Sequence, residues 1–538
     1  MIQHEYRVIG VLSIVWLGIA ASVATQTPAA NTPAAQIDLL KSNGILDQLF
    51  AQTGVYNKSK TGKTPDFVVD PVWPRPLPNN WLLGQIGGLY VDSHDNIWVY
   101  QRPRTLTTEE AGLEEALPGA KGADGQPMNG LAFPRPYGSV ADCCKAAPSV
   151  LEFDANGKLL KSWGGPSDPG FIGGKCKEAD GCIWPNSEHG IYVDQNDNVW
   201  VAGNAGASGA APAENGTPEG ADENAASPRG GRGGAAAPAG GRGGGGRAQI
   251  PWSTNKQGGD GFVLEFDVNG NFKKLIGGTP RGPNSNDTNG GINGTPLLYQ
   301  PTDMVIDSKT NHLFISDGYG NRHVLIVDAT TGKYVGSIGA YGNNPIDDAA
   351  SRAAGSWIND YSNGNMRPAF FRTPVHCVKI ASDGKVYVCD RGNNRIQVFD
   401  SRDPVLGQRC SNPAGAPGAC GFVAEQFISK HTNTSIPGTS VSMSFSSDKE
   451  QSCLYVGDNS NMTIYILNRI NLQELGRLGR HGRMAGDFHW LHQVSVDSKG
   501  NIYTGEVDTG KRIQKFIRYG SVGCSGTGSA VVGGPVLP

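Results

Sequence analysis

The sequence predicts an all-β fold, a six-bladed β-propeller. Three observations carry this. A β unit of four strands recurs along the chain at intervals of a few tens of residues, which is the signature of a repeat architecture. Within each unit, short apolar runs alternate with polar residues at the two-residue period of strands. Gly and Pro number 76 and 34 in 538 residues, so turns are many and long helices few.

The first residues read as a targeting segment. Arg7 precedes an almost uniformly apolar run, Val8 to Ala21, and small residues follow at Ser22-Val23-Ala24. This is the pattern of a secretory signal peptide over residues 1–24, with the apolar run short for a bilayer span of ~20 residues. Residues 25–80 are Ala-, Pro- and Asn-rich and are expected to form an N-terminal extension. The propeller is expected over 81–520 and a tail over 521–538.

The repeats define the blades. The clearest copy is PTDMVIDSKTNHLFISDGYGNRHVLIVDATTGKYVGSIG from Pro301, followed by PVHCVKIASDGKVYVCDRGNNRIQVFD from Pro374. Others begin at Glu188 (EHGIYVDQNDNVWVAGN, completed from Gly261) and Leu491 (LHQVSVDSKGNIYTGEV), with degenerate copies near Gly87 and Ser440. In each, a strand ends in Asp, a polar turn follows, and a second strand leads into an Asp/Asn-rich turn. One blade cannot bury both faces, so six copies should close into a ring around a channel. Residues 204–258 interrupt the second blade with a Gly/Arg-rich, almost non-apolar stretch, expected to be a disordered, solvated loop.

Export permits disulfides. Among ten Cys, Cys176/Cys182 and Cys410/Cys420 are each spaced to close a small loop. The adjacent Cys143 and Cys144 are not expected to pair with each other, and the connectivity stays open. The absence of any CxxC argues against a thiolate zinc site.

Histidine supplies the strongest chemical signal. With the blades aligned on the position that ends the first strand, Asp92, Asp194, Asp307, Ala381 and Asp497, the position five residues earlier holds Gly87, His189, Thr302, His376 and His492; the fifth blade aligns too poorly to assign. Three of the ten His therefore share one position, in the second, fourth and sixth blades. The first strand of a blade lines the channel, so alternate blades of six would aim three imidazoles, roughly 120° apart, at one point. Three His with an open position form the ligand set of a catalytic zinc site. The remaining His share no such register and read as structural or surface residues.

On these residues the chain resembles the NHL-type propellers and, among them, the peptidyl-α-hydroxyglycine α-amidating lyases. The stretches QPTDMVIDSKTNHLFISDGYGNRHVLIVD and RTPVHCVKIASDGKVYVCDRGNNRIQVFD carry the likeness, which is recognisable from Gly84 to Phe516 outside the insertion. The resemblance implies zinc on His189, His376 and His492, and catalytic roles for Arg102, Tyr319 and Arg391. It implies cleavage of the C–N bond of a C-terminal α-hydroxyglycine to an amide and glyoxylate. The two Arg would hold the carboxylate and Tyr319 would act as general base. The family also carries an Asp after its last zinc His, serving a structural calcium. This chain has Gln493 there, with no charge to offer, so calcium affinity should fall. Gly320 replaces the Cys beside the family Tyr, so that disulfide is not expected.

The net charge of −3 argues against a nucleic-acid surface, and no later segment is apolar enough to span a membrane. The expectation is a secreted or periplasmic monomer acting on a small-molecule or peptide substrate. The alternative is a non-catalytic NHL propeller serving as a protein-interaction scaffold in the cell envelope.

Overall fold

The computed structural model describes residues 64–107, 110, 116–121, 127–129, 143–205, 259–278, 287–343, 345, 370–403, 406, 421–429, 438–519, 523 and 524. The signal-peptide segment 1–24, the extension up to residue 63, the insertion from 206 to 258, Cys410, Cys420 and residues 525–538 lie outside them.

Among the described residues the architecture is all-β: six four-stranded sheets, two small two-stranded sheets (Trp81–Leu82 with Lys145–Ala146, and Ala116–Lys121 with Pro127–Asn129) and short 3₁₀ turns. Blade 1 runs Gln85–Val91, Ile97–Arg102, Val150–Phe153 and Leu159–Trp163. Blade 2 is Glu188–Val193, Val199–Gly203, Phe262–Phe266 and Phe272–Gly277. Blade 3 is Asp303–Asp307, His312–Asp317, His323–Asp328 and Tyr334–Ile338. Blade 4 is Val375–Ile380, Lys385–Asp390, Arg395–Asp400 and Phe422–Phe427. Blade 5 is Ser440–Phe445, Cys453–Asp458, Thr463–Asn468 and Glu474–Leu478. Blade 6 takes Leu491–Val496, Ile502–Glu506 and Ile513–Tyr519 from the end of the ring, and its outer strand from Asp66–Val69. The first strand of each blade contacts the first strand of the next, and blade 6 contacts blade 1, so the ring closes.

The blade 6 strand corrects the sequence reading. Asp66–Val69 pairs antiparallel with Ile517 and its neighbours, from Asp66↔Tyr519 to Val69↔Phe516. The boundary of the propeller at residue 81 is therefore too late: part of the expected extension is the strand that closes the ring. It joins two distant parts of the sequence and supplies the fourth, outer strand of the last blade.

The repeated Asp has a visible job. Asp92 Oδ1 accepts from the backbone N–H of His94 and Asn96 (2.8 and 2.9 Å), and its Oδ2 accepts from Trp98 Nε1 at 2.8 Å. Asp194 does the same with Asn196, Asn198 and Trp200, and Asp497 with Lys499, Asn501 and the Tyr503 hydroxyl. Each carboxylate pins the hairpin and anchors a buried aromatic of the second strand, which is why the motif recurs. The apolar core lies between neighbouring blades. One cluster joins Trp98, Tyr100 and Val150 to Ile191, Val201 and Phe262, and another joins Phe314 and Ile326 to Val378 and Val388.

Four disulfides lie among the described residues. Cys176–Cys182 closes the loop expected from its spacing. Cys377–Cys389 crosses the first two strands of blade 4, and Cys453–Cys524 ties the chain beyond blade 6 back to blade 5. Cys143 and Cys144 are bridged to each other, contrary to expectation, in a turn where Cys144 adopts φ 145°. Bridges of this number fit an oxidising compartment. Among the described residues, no helix is long and apolar enough to cross a membrane.

Candidate metal centre

His189, His376 and His492 each sit near the start of an innermost strand. In blades 1, 2, 4, 5 and 6 the pairing register of the first two strands shifts at this point. A β-bulge re-aims the side chain it carries. Gly87, His189, His376, Val441 and His492 fall within these shifts, so the unassigned fifth blade contributes Val441. The sequence of that blade hides the equivalence because its first strand, SVSMSF, departs from the repeat and Ser446 stands where most blades carry Asp.

The three imidazoles converge. Their ring centroids are 4.9 Å apart in every pair. One nitrogen from each lies within 4.8 Å of the other two, and all three residues are buried. Among the described residues this is the group of His, Cys, Asp or Glu side chains gathered closely enough to hold a metal ion.

The intervening blades hold the rings in place. His189 Nδ1 lies 2.8 Å from the carbonyl of Thr302, and His376 Nδ1 lies 2.6 Å from that of Val441. A carbonyl only accepts, so Nδ1 carries the proton and Nε2 carries the lone pair in both rings. Thr302 is itself fixed, its hydroxyl lying 2.9 Å from both the Ser316 and the Val375 carbonyl oxygens, with its one proton to share between them. The third spoke differs. Gly87 O receives Gln493 Nε2 at 2.8 Å, and the same amide nitrogen is 3.3 Å from His492 Nδ1.

Tyr319 completes one side. Its ring centroid is 5.7 Å from that of His189 and 5.8 Å from that of His376. It stands half-exposed in the turn after the second strand of blade 3, between two glycines. A Cβ on Gly318 would collide with the Val375 backbone, and one on Gly320 with Tyr299. The turn therefore needs both glycines, and Thr373 Oγ1 donates to the Tyr319 carbonyl at 2.8 Å.

Arg391 opens the corresponding turn of blade 4 and is fully buried. Its Nη1 lies 3.4 Å from the Tyr319 hydroxyl, and its Nη2 donates to Asn459 Oδ1 at 2.8 Å. Arg102 ends the second strand of blade 1, also buried, and donates through Nε to Glu188 O (2.7 Å), through Nη1 to Gln85 Oε1 (2.9 Å) and through Nη2 to Asn204 Oδ1 (3.4 Å). Arg102 thus grips the residue preceding His189. The expected residues divide accordingly. The three His, Tyr319 and Arg391 form one contact network, and Arg102 joins at the strand that carries His189.

Sequence reasoning missed Asn204 and Asn459, the residues that follow the second strands of blades 2 and 5. Each accepts from the arginine of the preceding blade. Asn204 was placed in the insertion, yet it is buried, and its backbone N–H donates to Ser187 O at 3.0 Å. Ala205 is likewise buried and donates to Asp260 Oδ2 at 2.9 Å. The boundary of the insertion at 204 is therefore two residues too early. Its Gly/Ala-rich sequel masked the signal. Arg104 was also missed: it forms a buried ion pair with Glu188 at 3.0 Å, directly before His189.

Two buried carboxylates frame the turns of blades 4 and 5. Asp390 accepts from Arg372 N, Asn393 Nδ2 and Arg395 Nε (3.0, 2.7 and 2.6 Å), closing the turn that presents Arg391. Arg395 is fully buried and also donates to Tyr341 Oη at 2.7 Å and Glu425 Oε2 at 3.3 Å. Removing one partner from such a network strands buried charge, so Arg395→Met should destabilise the fold by about 3–5 kcal/mol in chemical denaturation. A change below about 1 kcal/mol would contradict the role given to the network.

Asp458 closes the turn that presents Asn459, accepting from the N–H of Ser460 and Asn461 and from Asn461 Nδ2. Burial pushes its carboxyl up to about 6 despite these donors. The folded chain then binds this proton more tightly than the unfolded one. The stabilisation is fully present below the ordinary carboxyl range of about 4 and is lost as pH rises through about 6. The stability difference between Asp458→Asn and wild type should therefore move in favour of the variant between those limits. Thermal melts at matched pH values check it, and a pH-independent difference would contradict it.

Comparison with known proteins bears on the fold. Residues 375–399, which span the first two strands of blade 4 and most of its third, match the NHL repeat family. The chain is 28% identical over 103 residues to peptidyl-glycine alpha-amidating monooxygenase B of Xenopus laevis, covering 19% of this chain and 10% of that protein. It is 28% identical over 100 residues to peptidyl-glycine alpha-amidating monooxygenase A of the same organism, covering 19% of this chain and 9% of that protein. The matched stretches thus span about a tenth of those relatives. The chain is a six-bladed β-propeller in which residues 375–399 match the NHL repeat family, with distant sequence similarity to the peptidyl-glycine alpha-amidating monooxygenases.

Proposed function

We propose that this chain is an exported, zinc-dependent carbon–nitrogen lyase. It cleaves an N-acyl or peptidyl α-hydroxyglycine to the corresponding amide and glyoxylate. The observation that carries the reading is the buried triangle of His189, His376 and His492 with Tyr319 and Arg391 against it. The similarity to amidating enzymes supports the same class of substrate.

The donor set fits zinc. Three neutral imidazoles on rigid strands leave one coordination position open, the arrangement of catalytic rather than structural zinc sites. Backbone carbonyls on two of the Nδ1 atoms supply the outer contacts that orient such ligands. A zinc ion held there supplies Lewis acidity toward the substrate hydroxyl.

The chain's own residues do the rest. Tyr319, beside the Arg391 guanidinium, takes the proton of the hydroxyl. The freed electron pair becomes the C=O of glyoxylate as the C–N bond breaks. That bond's electrons go to the amide nitrogen, which receives the proton. Arg102 and Arg391 present planar forks suited to a carboxylate.

The residues present do not fit a calcium ion beside His492. Gln493 directs an N–H, a donor, at Gly87 O, where a cation would need oxygen ligands.

The test is glyoxylate release from N-benzoyl-α-hydroxyglycine by the purified, zinc-loaded chain. Catalysed release above the spontaneous rate is expected. A zinc-loaded chain without turnover would contradict the reading and favour a scaffold role.

A further inference from the structure

Asn204 carries chemistry that none of the roles above uses. It is completely buried, and its Oδ1 faces two groups, Arg102 Nη2 at 3.4 Å and Ser187 Oγ at 2.8 Å. A guanidinium can only donate, so the atom facing it must be the amide oxygen. The other end of the amide, Nδ2, is then an N–H₂ group, and it has no hydrogen-bond partner among the described residues. Leaving such a donor buried and unsatisfied costs about 1–3 kcal/mol, so a ligand oxygen that accepts from it would recover that cost.

Blade 5 gives the internal contrast. Asn459 occupies the same turn and accepts from Arg391 in the same way, yet its Nδ2 donates to Leu491 O at 2.8 Å. One amide is thus a closed clamp and the other an open one. The open amide belongs to the turn beside His189: the Asn204 N–H bonds Ser187 O, and Arg102 bonds Glu188 O, the two residues that precede the ligand.

We propose that Asn204 Nδ2 and the Arg102 guanidinium together form the subsite for the substrate's carboxylate. The ligand class is a small 2-hydroxycarboxylate, whose carboxylate accepts from both. The inference deepens the lyase reading and rests on it for the identity of the substrate. It makes Asn204, not the second arginine, the partner of Arg102 in holding the acid group. Arg391 is then left to Tyr319.

Glycolate titrated calorimetrically into wild type and Asn204→Asp, each with and without zinc, tests this. The Asp variant keeps an oxygen facing Arg102 and Ser187, replaces the open donor by an acceptor and adds a negative charge that repels a carboxylate at that position. Glycolate should bind wild type, with ethylene glycol, which lacks the carboxylate, binding at least tenfold more weakly. Asn204→Asp should weaken glycolate at least tenfold with zinc content unchanged. Equal glycolate affinity in a folded, zinc-replete variant would overturn the proposal. Should the variant not fold, a crystal of wild type with glycolate decides. A carboxylate oxygen within hydrogen-bond distance of Asn204 Nδ2 supports the subsite, and a carboxylate elsewhere overturns it. Absence of zinc from wild type would instead count against the lyase reading, while the zinc-free titrations still report on the subsite.

Discussion

His376→Ala is expected to leave the propeller folded, to empty the channel of stoichiometric metal, and to abolish turnover. The side chain is buried and its Nδ1 is held by Val441 O, so its Nε2 lone pair has one direction to serve. Removing one of three ligands leaves a two-imidazole site, which no longer matches what zinc requires. Metal-derived stabilisation of developing charge is worth several kcal/mol, which corresponds to a rate loss of about a thousandfold or more. The fold should survive because the blades are held by the clusters between them and by disulfides, including Cys377–Cys389 on the same strand. Metal content by mass spectrometry and glyoxylate release, measured on one preparation, check both halves. A variant that retains full zinc and full activity would remove His376 from the site.

The second large effect is at Tyr319. Tyr319→Phe keeps the ring against His189 and His376 but deletes the hydroxyl that meets Arg391. If the hydroxyl moves the proton, kcat should fall about 10²–10⁴-fold, the range for a positioned acid–base group, with zinc retained. KM should change little, because the acid group of the substrate is held elsewhere. Arg391→Lys should fall in the same direction, since an ammonium cannot span both Tyr319 Oη and Asn459 Oδ1 as the planar fork does. A rise in KM alone in Tyr319→Phe would recast Tyr319 as a binding residue.

Much of this site was legible in the sequence for a physical reason. A closed ring of repeats turns sequence register into angular position, so His189, His376 and His492 could be paired with one another before any distance was known. Tyr319 and Arg391 were named through the resemblance, and the structure shows Asp317 and Asp390 at the ends of the preceding strands fixing the turns that carry them. What escaped lacked a repeat signal. Asp66–Val69 pairs with a strand at the far end of the chain, and nothing local marks it as part of a blade. Val441 was hidden because its strand departs from the repeat and its hairpin is held by Ser446, whose Oγ accepts from Cys453 N, where most blades use Asp. Asn204 adjoins a low-complexity run, and composition outweighed its place at the end of a buried strand. The bridge between Cys143 and Cys144 depends on a left-handed backbone that spacing does not reveal.

The zinc K-edge absorption spectrum of the purified full chain tests the central claim most directly. The account predicts about one zinc per chain with three imidazole nitrogens at roughly 2.0–2.1 Å and one lighter-atom ligand completing the set. A chain that purifies without metal and stays metal-free after zinc is supplied would contradict it. So would zinc bound with sulfur in its first coordination sphere.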